Sequence, residues 1–120
     1  MIEILFQCQT GTAMAKTFIQ YQVGKIGRDW CVLITGGESH IGALICSNKL
    51  INESFSYTLA THKEDVLVTE AYQQLSQLVK NEIVIISGVH YDQINSNQIN
   101  TLLNNNRQLI KQTAEFLKSA

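Results

Sequence analysis

Proline is absent from the 120 residues, and charged side chains make up only 16% of them. Nothing in the chain reads as a linker: there is no Pro-rich stretch, no internal repeat and no low-complexity tail. A net charge of -1 leaves no basic face to neutralise phosphates, so nucleic-acid binding is not expected. No run approaches the ~20 apolar residues that cross a bilayer. Met1 to Cys8 lack the basic start and long apolar stretch of a signal peptide. A soluble, cytoplasmic protein without membrane contact is therefore expected. Cys8, Cys31 and Cys46 are odd in number and widely spaced, with no C-x-x-C, which argues for buried reduced thiols rather than disulfides or zinc. Also missing are G-x-S-x-G, a Walker loop, G-x-G-x-x-G and H-E-x-x-H, so no catalytic residue and no resident metal is assigned.

What is present is a globular composition, 45% hydrophobic. A chain of this length buries roughly two thirds of its unfolded surface and can carry a real core. We expect a single domain over residues 1–120. Ile2, Ile4, Phe6 and Cys8 alternate with polar residues, as do Ile19, Tyr21 and Val23, and each set reads as a half-buried strand. Gly24 to Arg28 reads as a hairpin loop. Trp30 to Ile34 and Ile83 to Ile86 are continuous apolar runs, the mark of central strands covered on both faces. Gly36 to Ser39 predicts a tight connection into a strand over Ile41 to Cys46, and Phe55, Tyr57 and Leu59 alternate in a fifth.

The period then changes. Thr61 and Glu64 have capping-box spacing, and Leu67, Ala71, Leu75, Leu78 and Val79 follow at helical intervals. From Ser96 onward, Ile99, Leu102, Leu103, Leu109, Ile110 and Leu117 predict a long amphipathic helix. Ten Asn and Gln residues between Gln93 and Gln112 read as a solvated helix face. The predicted fold class is α+β: a mixed, mostly antiparallel sheet of about six strands with two helices packed on one face. Short links favour an antiparallel meander of the first five strands, and the helical crossover makes the fifth and sixth strands parallel.

Strand direction then places chemistry. If the third strand runs up, His40 at the start of the fourth, His62 after the fifth and His90 at the end of the sixth all reach one rim. The loop from Gly11 to Lys16 and both helix N-termini arrive there too. The candidate ligand-binding residues are Gly36, Gly37, His40, Gly42, His62, Lys63, Asp65, His90, Tyr91 and Asp92. Glycines let a ligand approach the backbone, and helix N-termini attract anions. Lys63 could pair with a phosphate, while Asp65 and Asp92 could orient imidazoles. Taken singly, each segment also reads as ordinary structure: a solvated histidine, a polar helix start, a turn with an N-cap aspartate.

Gly-Gly-Glu-Ser-His-Ile-Gly-Ala at 36–43, His-Lys-Glu-Asp at 62–65 and Gly-Val-His-Tyr-Asp at 88–92 together resemble the LpdD-type small subunits. That family accompanies UbiD-type decarboxylases of hydroxybenzoates such as gallate and protocatechuate. Thr61 stands where the family pattern would have glycine. The resemblance implies a prenylated-flavin chaperone, with prenylated FMN as cargo and the UbiD-type catalytic subunit as partner. It also implies a meeting with the flavin prenyltransferase that makes the cargo. A homodimer is expected, because unpaired sheet edges need protection. Two alternatives stay open: a small histidine-dependent enzyme, metal-assisted or not, and a non-catalytic structural subunit of the decarboxylase.

Overall fold

The computed structural model describes residues 2–12, 14–59 and 62–120; the side chains of His62, Lys63 and Glu64 lie outside the described part. The elements are β1 (Ile4–Thr10), β2 (Ile19–Ile26), β3 (Asp29–Gly37), β4 (Ala43–Asn48), β5 (Glu53–Thr58), α1 (His62–Leu75), a short 3-10 turn (Ser76–Leu78), β6 (Ile83–His90) and α2 (Ser96–Ser119). The fold is α+β, with one mixed six-stranded sheet and two helices, as the sequence pattern predicts. The Gly24–Arg28 hairpin tightens to two residues: Ile26 pairs with Asp29, and Gly27 takes a φ of 62°.

Strand order is the main correction. The sheet reads β1-β2-β3-β6-β4-β5, so β6 is inserted between β3 and β4 where a meander would pair them. β3 and β6 are parallel; every other pairing is antiparallel. Burial explains the choice. β6 is apolar on both sides and belongs in the interior, whereas β5 is exposed along its whole length and belongs at an edge. β5 and β6 do run parallel, but as next-nearest strands.

Helix α1 packs over β4 and β6, helix α2 over β1 and β2, and the two touch. The core lies between them and one face of the sheet, around Tyr21, Val32, Ile34, Ile85, Leu67, Leu75 and Leu109. In α2 the buried stripe is Leu102, Asn106, Leu109, Ile110, Thr113 and Leu117. Asn106 corrects the reading of the Asn/Gln-rich segment as wholly solvated. Its Oδ1 accepts the Tyr21 hydroxyl at 2.5 Å and its Nδ2 donates to the Leu67 carbonyl at 3.4 Å, so one buried amide joins β2, α1 and α2. No helix among the described residues is long and apolar enough to cross a membrane.

Candidate functional site

Because β3 and β4 run antiparallel with β6 between them, their connection stays at one end of the sheet and must pass over β6. It does so at Gly88. A Cβ added there would meet the His40 carbonyl carbon at 2.5 Å and its backbone nitrogen at 2.9 Å, and would come closer still to the carbonyl oxygen. Gly88 is in register with Thr35, on the face away from the helices. The crossing is pinned on its far side by Gly42, whose N–H donates to the Ser87 carbonyl at 2.8 Å and whose carbonyl accepts from Leu59 N–H at 2.7 Å.

This crossing brings two imidazoles together. The His40 and His90 rings have centroids 5.8 Å apart at 57°. His90 Nε2 lies 3.0 Å from Asp92 Oδ1, so the carboxylate fixes that ring. On the helix side of the same rim, Tyr91 folds back and its hydroxyl donates to the Phe18 carbonyl at 2.6 Å. Burial pushes the Tyr91 phenol above its ordinary range. Gly36 and Gly37 make room for that ring: a Cβ at Gly37, where φ is 65°, would meet Tyr91 Cε1 at 2.8 Å. The glycine pair thus receives Tyr91, a use that needs no ligand.

The rim therefore gathers Gly36, Gly37, His40, Gly42, His90, Tyr91 and Asp92. Asp65 stands at the β5–α1 corner, where its Oδ1 accepts from the Thr58 hydroxyl at 3.3 Å. That corner is two strands from β6, or about 10 Å at ordinary sheet spacing. His62 and Lys63 begin α1 at the same rim, but their side chains lie outside the described residues, as does the Thr61–Glu64 capping box. The start of α2 is capped by Asn95, not Asp92. Asn95 Oδ1 accepts Gln98 N–H at 2.8 Å and Gln98 Oε1 accepts Asn95 N–H at 2.9 Å. Those donors are already used, so this N-terminus is a weaker anion site than its position suggests.

Two features were not picked out as site residues from the sequence. Lys16, in the β1–β2 loop, reaches the Asp92 carbonyl with its Nζ at 3.0 Å and adds a cation to the rim. Beside the imidazoles lies an apolar depression of about 230 Å³, floored by Leu33 and Ile86 and walled by Thr35, His40, Ile41 and Gly88. Lys16 was within reach of the topology argument; the depression depends on the β6 insertion and was not.

Other chemistry does not converge here. All three thiols are free, and burial raises each of them above its ordinary value, the wrong direction for a nucleophile. Among the described residues no three His, Cys, Asp or Glu groups come together as a metal site. A hollow of about 850 Å³, an open groove between the two helices, is spanned by the Arg107–Glu70 ion pair at 2.9 and 3.1 Å and contains no rim residue.

Residues 13–118 match the prenylated flavin chaperone LpdD-like domain, and the chain belongs to that family. A subunit from the crystal structure of a novel chaperone complex for yeast 20S proteasome assembly is similar in fold, with a TM-score of 0.59 at 11% identity, over 98% of this chain and 96% of that one. At that identity the likeness is one of fold alone. No curated protein matches the chain.

Proposed function

We propose that this protein holds prenylated FMN after its synthesis by a flavin prenyltransferase and hands it to an apo UbiD-type hydroxybenzoate decarboxylase. The observation that carries the reading is family membership across residues 13–118, joined to a rim where an oriented imidazole pair borders an apolar depression. The residues fit the cargo in kind. Leu33, Ile41 and Ile86 offer a surface for a flat ring system, and His40 and His90 offer donors and acceptors at its edge. Lys16 supplies positive charge for a phosphate, joined in this reading by Lys63 from the start of α1, while Gly36 and Gly37 seat Tyr91, Gly42 fixes the crossing that carries His40, and Asp92 holds His90. Asp65 orders the start of α1 through Thr58. When bound, the reduced prenylated flavin is an oxygen-sensitive group, and a carrier that covers it protects it in transit. The protein's own part is to bind, orient and exclude solvent, with no catalytic residue and no metal assigned. We place this role in the cytoplasm and in one domain spanning the chain.

The test is retention and transfer. His90→Ala and His62→Ala should each weaken retention of prenylated FMN, and slow activation of the apo-decarboxylase, while circular dichroism stays that of the wild type. Unchanged retention in both variants would remove these residues from the site.

A further inference from the structure

Of the two sheet edges, one is blunted and the other is not. β1 carries a bulge between Ile4 and Phe6, and α2 packs over it. β5 keeps its six residues in unbroken register with β4, is exposed at every one of them, and holds no proline or lysine. One bond fixes the direction of its backbone groups. Leu59 N–H donates to the Gly42 carbonyl at 2.7 Å, so Leu59 is a hydrogen-bonded position of the β4–β5 pair. Such positions alternate along antiparallel strands. Tyr57, Phe55 and Glu53 therefore bond β4, and Ser54, Ser56 and Thr58 turn their N–H and C=O groups outward. Those three span about 13 Å of open edge.

The same three residues pair with Ser47, Ile45 and Ala43, whose buried side chains lie on the helix side of the sheet. A strand laid against β5 sends every second side chain toward that side, along the flank of α1. A hollow of about 480 Å³ lies there, with Glu53 and Ser54 on one wall and Tyr72, Ser76 and Gln77 on the other. The charge left uncompensated in it is negative. Lys49 Nζ is turned onto the Ser76 carbonyl at 2.7 Å and onto the Val79 carbonyl. Glu53 has no ion-pair partner among the described residues.

We propose that β5 is the docking edge for an extended segment of the acceptor decarboxylase, which adds a strand there and places a Lys or Arg side chain in the hollow; this rests on the carrier reading above. In this mode main-chain bonds supply affinity and the pocket supplies selectivity. The edge is also placed for handover. Its Leu59 end is bonded to Gly42 in the crossing that carries His40, so an enzyme held here stands beside the rim. A second copy fits the edge poorly. Pairing two β5 strands about Ser56 sets Ser54 of each against Thr58 of the other. Asp65, which accepts from the Thr58 hydroxyl at 3.3 Å, then meets Glu53 at both ends. Like charges so placed repel, whereas a basic segment is attracted.

Isothermal titration of the full chain into flavin-free apo-decarboxylase reads docking apart from cargo. Ser56→Pro removes an outward N–H and leaves the β4 ladder whole, so circular dichroism should stay that of wild type while affinity falls at least about tenfold. Glu53→Lys should weaken binding about two- to fivefold, with the larger loss at low salt. Hydrogen exchange gives a second reading that needs no variant. On docking, the amides of Ser54, Ser56 and Thr58 should slow, while those of Phe55 and Tyr57, already bonded to β4, change less. Wild-type affinity in both variants, or no slowing at the alternate amides, overturns the proposal. So does a wild type that does not bind the apo-enzyme. Slowing of those amides as the chain alone is concentrated also overturns it, since a second copy would then hold the edge. If docking persists in a protein that retains no prenylated FMN, the carrier reading fails and the docking edge stands.

Discussion

Gly88→Ala should strike the rim without removing any polar side chain. The added methyl lies against His40's backbone, with the carbonyl carbon at 2.5 Å and the nitrogen at 2.9 Å, so backbone must move rather than a flexible side-chain end. Overpacking of this kind costs about 1–3 kcal/mol. The displaced segment carries His40 away from His90, so both the stability and the site should respond. Gly27→Ala provides the control. Its φ of 62° disfavours alanine, yet nothing lies within 4 Å of the new methyl, so about 1–2 kcal/mol should be lost with the rim intact. Urea unfolding gives the stabilities, and proton NMR of the imidazole carbons reads the two histidines. The expected result is a loss in both variants, with His40 and His90 signals moving only in Gly88→Ala. A Gly88→Ala protein within about 0.5 kcal/mol of wild type, with unmoved imidazole signals, would refute the crossing as described.

Two further outcomes follow from the hydrogen-bonded polar groups. Tyr21→Phe leaves the Asn106 carbonyl oxygen without its donor, and the loss should be about 1–3 kcal/mol; adding Asn106→Leu should recover part of it in a double-mutant cycle, and simple additivity would argue against coupling. Glu82 is held below its ordinary 4.5 by the Ser47 hydroxyl first and the Lys49 backbone N–H next. A carboxylate lowered by folding stabilises the fold above its unfolded pKa, and that stability is lost as pH falls through the folded value. Between pH 4.5 and that lower value, wild type should therefore lose stability that Glu82→Gln does not; parallel pH profiles would contradict this.

How far the sequence carried the structure can be seen in particular elements. The change of period from two to 3.6 located the strands and helices, because alternation on β2 and the Leu102–Leu109–Leu117 stripe on α2 are direct images of one-sided burial. The rim survived an error in strand order because it depends on strand direction alone. Inserting β6 between β3 and β4 leaves every direction as it was, so His40, His90 and the β1–β2 loop still meet at one end. The insertion itself was hidden, since neighbour choice is decided by burial on both faces across strands far apart in sequence. Gly88 was legible as a glycine but not as a crossing, for the same reason. Asn106 was misread by type, although its phase, four residues after Leu102 and three before Leu109, put it on the buried stripe. Polar residues in core phase signal an internal hydrogen bond, here to Tyr21.

The carrier role stands or falls most directly on native mass spectrometry of this protein co-expressed with an active flavin prenyltransferase. The account predicts a bound mass matching prenylated FMN, in fixed ratio to the subunit, lost or reduced in His90→Ala. A clean apo mass beside a prenyltransferase shown to be making its product would contradict it.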